Sequence, residues 1–306
     1  MISEKIIVGK DSEYPLNGML TLPDNLEKKV PAVVLVHGSG ASNMDEKVMR
    51  LRPFKDIAEG LAEEGIAAVR YDKRTFAHAR KMLKVQPTEK EETIDDAIKA
   101  AELLRQDPRI DADRIFIIGH SMGAMLAPRI DAECNYFKGL ILMAGTPKRL
   151  EDIVVRQLKQ ASQSGGFLMR KIVELESRIY VKRFDNLYDL SEQEARKKKF
   201  AGGLSLYYFQ EMGRKTAGDY LLETDKPVLI MQGGKDFQVL PEEDFEGFKE
   251  ILKGKNNVSY KLYEDLNHVF VKGLYNDITK ASREYSVQQH VDIPVIKDIA
   301  EFIHSH

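Results

Sequence analysis

Short, mostly apolar runs that alternate with helical patterns constrain the fold of this 306-residue chain more than any other feature. The runs cover residues 30–36, 66–71, 114–119, 139–144 and 227–231, and a sixth strand is indicated near 258–263. Their length and their β-branched residues are typical of strands that are buried on both faces. Because helical spacing of apolar residues separates the first runs, we predict an α/β fold with a mostly parallel sheet and helices on both faces.

The alternation stops between residues 147 and 225, where no buried-strand pattern is found. One helical stripe of apolar residues begins at Leu150, and a second runs from 168 to 179. We therefore predict a core made of residues 1–146 and 226–306 and a helical cap inserted at 147–225. In this interpretation an antiparallel hairpin of residues 5–8 and 14–22 opens the sheet, and a helix at 295–304 ends the core.

Charge and cysteine content exclude several classes of protein. The chain has 46 Lys and Arg against 48 Asp and Glu, which gives a formal net charge of −2 and no basic surface for a nucleic-acid or membrane partner. The single cysteine, Cys134, excludes an internal disulfide and a cysteine-based zinc cluster. No apolar stretch approaches the roughly 18 residues of a membrane span. A cytoplasmic location is expected, unless a signal peptide has been trimmed from the sequence.

The pentapeptide Gly119-His120-Ser121-Met122-Gly123 lies where a predicted buried strand meets a predicted helix. A tight turn at that junction lifts the serine oxygen above the sheet edge, and the glycines avoid collisions with neighbouring elements. The helix N-terminus behind the serine favours developing negative charge. We interpret Ser121 as a nucleophile. The alternative is an ordinary strand–turn–helix with a capping serine.

A serine nucleophile needs a base, and the base needs an orienting carboxylate. His268 follows the strand at 258–263, and Asp236 follows the strand at 227–231, so both belong to the sheet edge that carries Ser121. The chain order Ser121, Asp236, His268 is the order of an α/β-hydrolase. Asp265 is the rival acid, although its closeness to His268 in sequence favours a role in the loop.

Acyl transfer also needs donors for the oxyanion. The small residues of His37-Gly38-Ser39-Gly40 follow the first central strand and allow backbone N–H groups to turn into the site. We predict that the N–H groups of Ser39 and Met122 are these donors. A phosphate-binding loop and a dinucleotide fingerprint are both absent, and we predict no metal and no organic cofactor.

Together these motifs resemble the serine α/β-hydrolases over residues 14–145 and 226–305. The chain is similar to bacterial carboxylesterases of the cinnamoyl or feruloyl esterase and lysophospholipase-like type, and its segment 70–74 fits their next strand. After that strand, such enzymes usually carry a Gly-x-Gly-x-Ser turn. Here the chain reads Thr75-Phe76-Ala77-His78-Ala79. We therefore expect a differently shaped loop in which Phe76 or His78 intrudes on the pocket.

The resemblance implies hydrolysis of a small-molecule carboxylic ester through an acyl-enzyme on Ser121. Thioester or amide cleavage by the same machinery and a ligand-binding protein without turnover are the alternatives. The aromatic segment 204–212 is either an apolar wall of the pocket or the internal core of the cap. The identity of the ester and the oligomeric state stay open at this point.

Overall fold

The computed structural model of the chain describes residues 1–82, 84–163, 181–200, 204–275 and 277–306. The second predicted stripe of the cap, at 168–179, lies outside these residues. None of the helices in the described ranges is long and apolar enough to cross a membrane.

Eight strands form one sheet in the order β1-β2-β4-β3-β5-β6-β7-β8. They are β1 (Ile2–Val8), β2 (Leu16–Leu22), β3 (Val30–Val36), β4 (Ala67–Tyr71), β5 (Ile110–His120), β6 (Gly139–Met143), β7 (Val228–Gly233) and β8 (Val258–Tyr263). β1 and β2 form the predicted antiparallel hairpin, and β2 also pairs antiparallel with β4. The remaining pairs, from β4 to β8, are parallel. The predicted α/β fold with a mostly parallel sheet is confirmed.

Twelve α-helices have both ends within the described ranges, and residues 181–184 are helical as well. The twelve are α1 (Pro53–Glu63), α2 (Arg74–Ala77), α3 (Ala79–Met82), α4 (Asp95–Gln106), α5 (Met122–Cys134), α6 (Leu150–Gln163), α7 (Glu192–Lys197), α8 (Leu206–Gly213), α9 (Ala217–Glu223), α10 (Glu246–Ile251), α11 (Ala281–Tyr285) and α12 (Ile293–Ser305). A π-helical turn precedes α4 at Lys90–Ile94, and another precedes α10 at Pro241–Phe245.

Burial on both faces explains why the central strands are continuously apolar. Along β3, the side chain of Val34 belongs to the apolar cluster under α4 and α5, whereas those of Val33 and Leu35 belong to the cluster under α1 and α12. Successive strand residues point to opposite faces, so a sheet covered by helices on both sides needs apolar residues at every position.

The segment between β6 and β7 contains α6 to α9 and a 3₁₀ turn at Leu187–Asp189, with no named strand among its described residues. The first four residues of α8, 206–209, form an apolar cluster with Leu187 and Ala195. The division of the chain into a core and a cap stays a prediction.

The parallel arrangement determines where the candidate residues lie. The carboxyl ends of parallel strands meet at one edge of a sheet, and ligands bind outside that edge in open α/β sheets. The loops after β3, β5, β7 and β8 carry Ser39, Ser121, Asp236 and His268 respectively. The fold therefore brings all four segments to the same edge.

Candidate active site

Ser121 occupies the turn between β5 and α5 with φ 54° and ψ −116°. A residue with a side chain rarely adopts this backbone conformation, and such strain is typical of functional turns. The turn is possible only with glycine on both sides. A Cβ at Gly119 would lie 2.2 Å from Gly123 O, and a Cβ at Gly123 would lie 2.1 Å from Val36 O. The glycines allow the helix to pack close to the strands and leave Ser121 at the edge of the sheet.

Asp236 is buried at the end of the turn that follows β7. Its Oδ1 accepts hydrogen bonds from the backbone N–H groups of Gln238 at 2.8 Å and Val239 at 3.0 Å. Its Oδ2 accepts one from Gln232 Nε2 at 3.0 Å and lies 2.7 Å from His268 Nδ1. Four donors therefore hold the carboxylate in one orientation toward the imidazole.

His268 is buried in the loop after β8. Because Asp236 accepts the hydrogen bond at Nδ1, this nitrogen carries the proton and Nε2 is left as the basic nitrogen. The rival acid is elsewhere: Asp265 forms an ion pair with Lys235 at 2.9 Å, and its side chain is 74% exposed. The structure therefore pairs His268 with Asp236 and places Asp265 at the surface.

The structure does not join Ser121 to His268 by a hydrogen bond among the described residues. The residue before Ser121 is close to His268: the ring centroids of His120 and His268 are 4.8 Å apart. In addition, Ser121 lines the same cavity as Gln238 and Val239, whose N–H groups bind Asp236.

The loop after β3 presents the predicted oxyanion donors. Ser39 and Met122 both line the cavity beside Ser121. Within the described part of the chain, the backbone N–H groups of Ser39 and Met122 donate to no protein acceptor. Gly38, by contrast, is held on both sides: its N–H donates to Glu46 Oε1 at 2.7 Å, and its carbonyl accepts from Lys73 Nζ at 2.9 Å.

Glu46 and His120 form a buried ion pair beside these residues. His120 Nδ1 lies 2.9 Å from Glu46 Oε2, and His120 Nε2 lies 2.9 Å from the carbonyl oxygen of His268. Burial alone would lower the pKa of His120 and raise that of Glu46, but their mutual charge interaction reverses both shifts. His120 Nε2 donates to the carbonyl oxygen of His268, and the carboxylate of Glu46 raises the pKa of the imidazole above its ordinary value. His120 links the loop of Gly38 to the loop of His268.

The neighbouring His37 behaves in the opposite way. Its ring is buried against Phe54 and Tyr71, and its Nε2 lies 3.0 Å from the carbonyl oxygen of Asn43. Burial lowers its pKa from the ordinary value of 6.5 to about 4, which outweighs the opposing charge of Glu46. His37 is neutral in the folded protein at pH values where the unfolded chain is protonated.

This difference predicts a loss of stability in acid. As pH falls from 6.5 to 4, the unfolded state binds a proton that folded His37 does not, so the free energy of unfolding drops by about 3 kcal/mol from this residue. Urea unfolding of the wild type and of His37→Gln across this range should show a shallower pH dependence in the variant. Parallel pH curves for the two proteins would contradict the prediction.

A cavity of about 490 Å³ lies above Ser121. Its walls are mainly apolar: they include Met82, Val85, Met125, Leu150, Ile153, Val154, Phe200, Leu204, Phe209 and Val239. The aromatic segment 204–212 contributes both to the wall of the cavity and to an internal apolar cluster. Leu204, Tyr208 and Phe209 line the cavity and also pack with the apolar cluster of α8, whereas Tyr207 packs in that cluster and does not line the cavity.

The prediction that Phe76 or His78 intrudes on this cavity is wrong. Thr75, Ala79 and Met82 line it instead. Thr75 belongs to α2, whereas Ala79 and Met82 are three residues apart on one face of α3. Phe76 is half exposed, and His78 Nε2 lies 2.9 Å from the carbonyl oxygen of Pro15.

Sequence reasoning missed three buried charged residues around the site, namely Glu46 and Lys73, and Glu92, which lines the cavity. Each carries a charge normally found at the surface, and no local motif distinguishes them from exposed residues. No group of three or more His, Cys, Asp or Glu side chains in the described ranges is arranged to hold a metal ion.

A mostly parallel sheet with a serine at the strand–helix turn after β5, and with an acid and a histidine after later strands, defines an α/β-hydrolase. The chain belongs to the family described as serine aminopeptidase S33, whose model matches residues 27–272.

Comparisons with individual proteins agree with this class. The chain is 35% identical over 291 residues to Esterase EstD of Thermotoga maritima, an alignment that covers 94% of this chain and 65% of EstD. The chain thus spans just under two thirds of that relative. Est1E of Butyrivibrio proteoclasticus has a similar fold, with a TM-score of 0.60 and 16% identity over 99% of both chains. The Pyrococcus furiosus esterase Pf2001 has a TM-score of 0.59 and 16% identity over 99% of this chain and 91% of its own.

Proposed function

We propose that this protein hydrolyses a carboxylic ester through an acyl-enzyme formed on Ser121. The observation that carries the proposal is the buried pair of His268 Nδ1 and Asp236 Oδ2 at 2.7 Å, next to a serine held in a strained turn. An imidazole oriented by a carboxylate beside a serine is the arrangement that activates a hydroxyl for attack.

In the proposed reaction, Ser121 Oγ attacks the ester carbonyl while His268 Nε2 accepts its proton. The proton then passes to the departing alkoxide, which leaves as the alcohol. Asp236 keeps the proton of His268 on Nδ1 and stabilises the imidazolium. Water, deprotonated by the same nitrogen, attacks the acyl-enzyme and releases the acid. Catalytic hydrogen bonds are often long in the absence of substrate, so this role is compatible with a structure in which Ser121 and His268 are not yet hydrogen-bonded.

The N–H groups of Ser39 and Met122 supply the oxyanion site in this proposal. Both residues line the cavity, and their N–H groups have no protein acceptor in the described structure. Preorganised donors of this kind stabilise the tetrahedral intermediate without reorganising during the reaction, and each contributes about 10²–10³-fold to the rate.

The lining of the cavity favours an apolar acyl group over a peptide with a free amino terminus. An aminopeptidase needs an unpaired acidic group to bind the substrate ammonium. Among the described lining residues the only carboxylate is that of Glu92. Its two oxygens already contact Lys73 Nζ at 2.8 Å and Tyr208 OH at 2.8 Å. A volume of about 490 Å³ is in the range of small-molecule pockets, and short or medium acyl chains or one aromatic acid would fill it.

The names of similar proteins point the same way. EstD is named an esterase, and a further structure is titled as ferulic acid bound to Est1E. We propose that the present chain shares ester hydrolysis with EstD, and that residues 147–225 form a cap whose α6 and α8 supply the cavity wall. Hydroxycinnamoyl esters are therefore one arm of the substrate test.

A fluorophosphonate probe tests the proposed function directly. We expect one adduct per chain, located on Ser121 by peptide mapping and intact mass, and strongly slowed labelling in His268→Ala because the base is absent. A panel of p-nitrophenyl esters of increasing chain length, hydroxycinnamoyl esters, a thioester and an aminoacyl p-nitroanilide then identifies the substrate class. We expect the esters to be cleaved fastest.

The absence of an adduct on Ser121 in the folded wild type would contradict the proposal. A protein that binds ligands without turnover would then be the better interpretation. Preferential cleavage of the anilide would instead support the peptidase activity that the family description names.

A further inference from the structure

Lys73 is a fully buried cation that the proposed reaction does not use. It is the second residue after β4, and its side chain is only 2% exposed. Its Nζ donates to the carbonyl oxygen of Gly38 at 2.9 Å and lies 2.8 Å from Glu92 Oε1. Lys73 itself does not line the cavity, whereas Ser39 does. The ammonium therefore approaches the loop after β3 from behind.

The contact at the Gly38 carbonyl has a direct consequence for the next residue. The carbonyl of Gly38 and the N–H of Ser39 belong to one planar trans peptide, in which the two groups point in opposite directions. A charged donor that fixes the carbonyl oxygen on one side therefore fixes the N–H on the other. That N–H is the proposed oxyanion donor.

Glu92 connects this lysine to the segment between β6 and β7. Its Oε2 accepts a hydrogen bond at 2.8 Å from the hydroxyl of Tyr208, a buried residue of α8. The same hydroxyl lies 3.5 Å from the sulfur of Met122, the residue that carries the other proposed donor. One chain of contacts thus runs from α8 through Glu92 and Lys73 to the peptide between Gly38 and Ser39.

Stability alone is a poor explanation for this ion pair. Taking two charges out of water has a large desolvation cost, and apolar residues of similar size often stabilise the fold equally well. A buried pair that also binds one particular carbonyl is explained better by the need to hold a peptide plane.

We propose that Lys73 is a positioning residue for the oxyanion site: it orients the Ser39 N–H through the Gly38 carbonyl, with Glu92 and Tyr208 holding its ammonium in place. This inference rests on the proposed function. Lys73 touches no reacting atom, so its effect is on the stabilisation of the intermediate and not on proton transfer.

The test is the double variant Lys73→Met/Glu92→Gln, which removes both charges without leaving one of them unpaired. We expect kcat for p-nitrophenyl butyrate to fall about 10–100-fold while KM stays within about threefold, because a misdirected donor weakens the transition state and not substrate binding. The matching thionoester gives a second readout. Sulfur is a weak hydrogen-bond acceptor, so the thionoester rate depends less on the oxyanion donors and should fall several times less than the ester rate.

Arg74→Met/Asp96→Asn is the matched control. Arg74 is the next residue along the chain, and its guanidinium forms a buried ion pair with Asp96 at 2.6 Å. Neither residue lines the cavity, and the guanidinium donates its hydrogen bonds to the carboxylate of Asp96. We expect the control to lower Tm while kcat and the ratio of ester to thionoester rates remain those of the wild type.

Tyr208→Phe keeps the test decisive if the double variant does not fold. It removes a single hydroxyl and retains the ring, so we expect a smaller fall in kcat with the same shift in the ratio of ester to thionoester rates. Equal losses on both substrates, or an unchanged kcat in folded Lys73→Met/Glu92→Gln, would overturn the role of Lys73. A separate result marks failure of the proposed function: the fluorophosphonate probe would not label Ser121 in the wild-type protein. That result would also remove the basis of this inference.

Discussion

Ser121→Ala is expected to lower kcat for ester hydrolysis at least about 10⁴-fold while leaving the fold intact. Without Oγ no acyl-enzyme can form, and only the oxyanion donors and binding contacts remain to accelerate attack by water. The measurement is steady-state hydrolysis of p-nitrophenyl butyrate, together with thermal unfolding of the same preparation.

Thermal unfolding of this variant should match the wild type, because alanine at position 121 keeps a Cβ in the same strained turn and removes only one oxygen. Ser286→Ala is a suitable control for handling and concentration. That serine is exposed, and its hydroxyl donates to the backbone carbonyl of Arg283 at 2.7 Å. Ser121→Ala that retains more than a few per cent of wild-type activity would exclude Ser121 as the nucleophile.

Asp236→Asn is expected to lower kcat by about 10³–10⁴-fold. An amide at this position presents an NH₂ group as well as an oxygen, so it no longer guarantees an acceptor for the Nδ1 proton of His268. The imidazole can then adopt the tautomer with its proton on Nε2, which cannot act as a base toward Ser121. The measurement is kcat over a pH series, with far-ultraviolet circular dichroism to confirm folding.

Asp265→Asn is the matched control, because it is the other carboxylate close to His268 in the sequence. Its carboxylate is exposed and pairs with Lys235 at 2.9 Å. We expect activity within about twofold of wild type, since exposed ion pairs contribute little. If Asp265→Asn were the impaired variant and Asp236→Asn the active one, the assignment of the acid would be reversed.

The mostly parallel sheet and the strand–turn–helix position of the serine could be predicted because both depend on local sequence. Strands buried on two faces must be apolar at nearly every position, and helices on their surfaces must repeat their apolar residues at helical spacing. The strained turn of Ser121 needs glycine at 119 and 123 because any Cβ there would collide with backbone. Requirements of this kind can be recognised in a single sequence.

The loop 75–79 shows the limit of such reasoning. Its composition indicated that an aromatic or imidazole side chain would enter the pocket, yet Thr75 and Ala79 are the residues that line it. Which face of a short helix turns inward depends on how the neighbouring segments pack, and four-residue helices carry too little periodicity to reveal it.

The α/β class, the strand–turn–helix of Ser121 and the chain order of Ser121, Asp236 and His268 can be inferred from the residues alone, because they follow from local periodicity and from the sheet edge that parallel strands share. The packed structure was needed to show that Asp236 and not Asp265 pairs with His268, and that Gly38 is held by Glu46 at its N–H and by Lys73 at its carbonyl. These contacts join residues far apart in sequence. Their partners are charged side chains that only a completed core can bury next to one another.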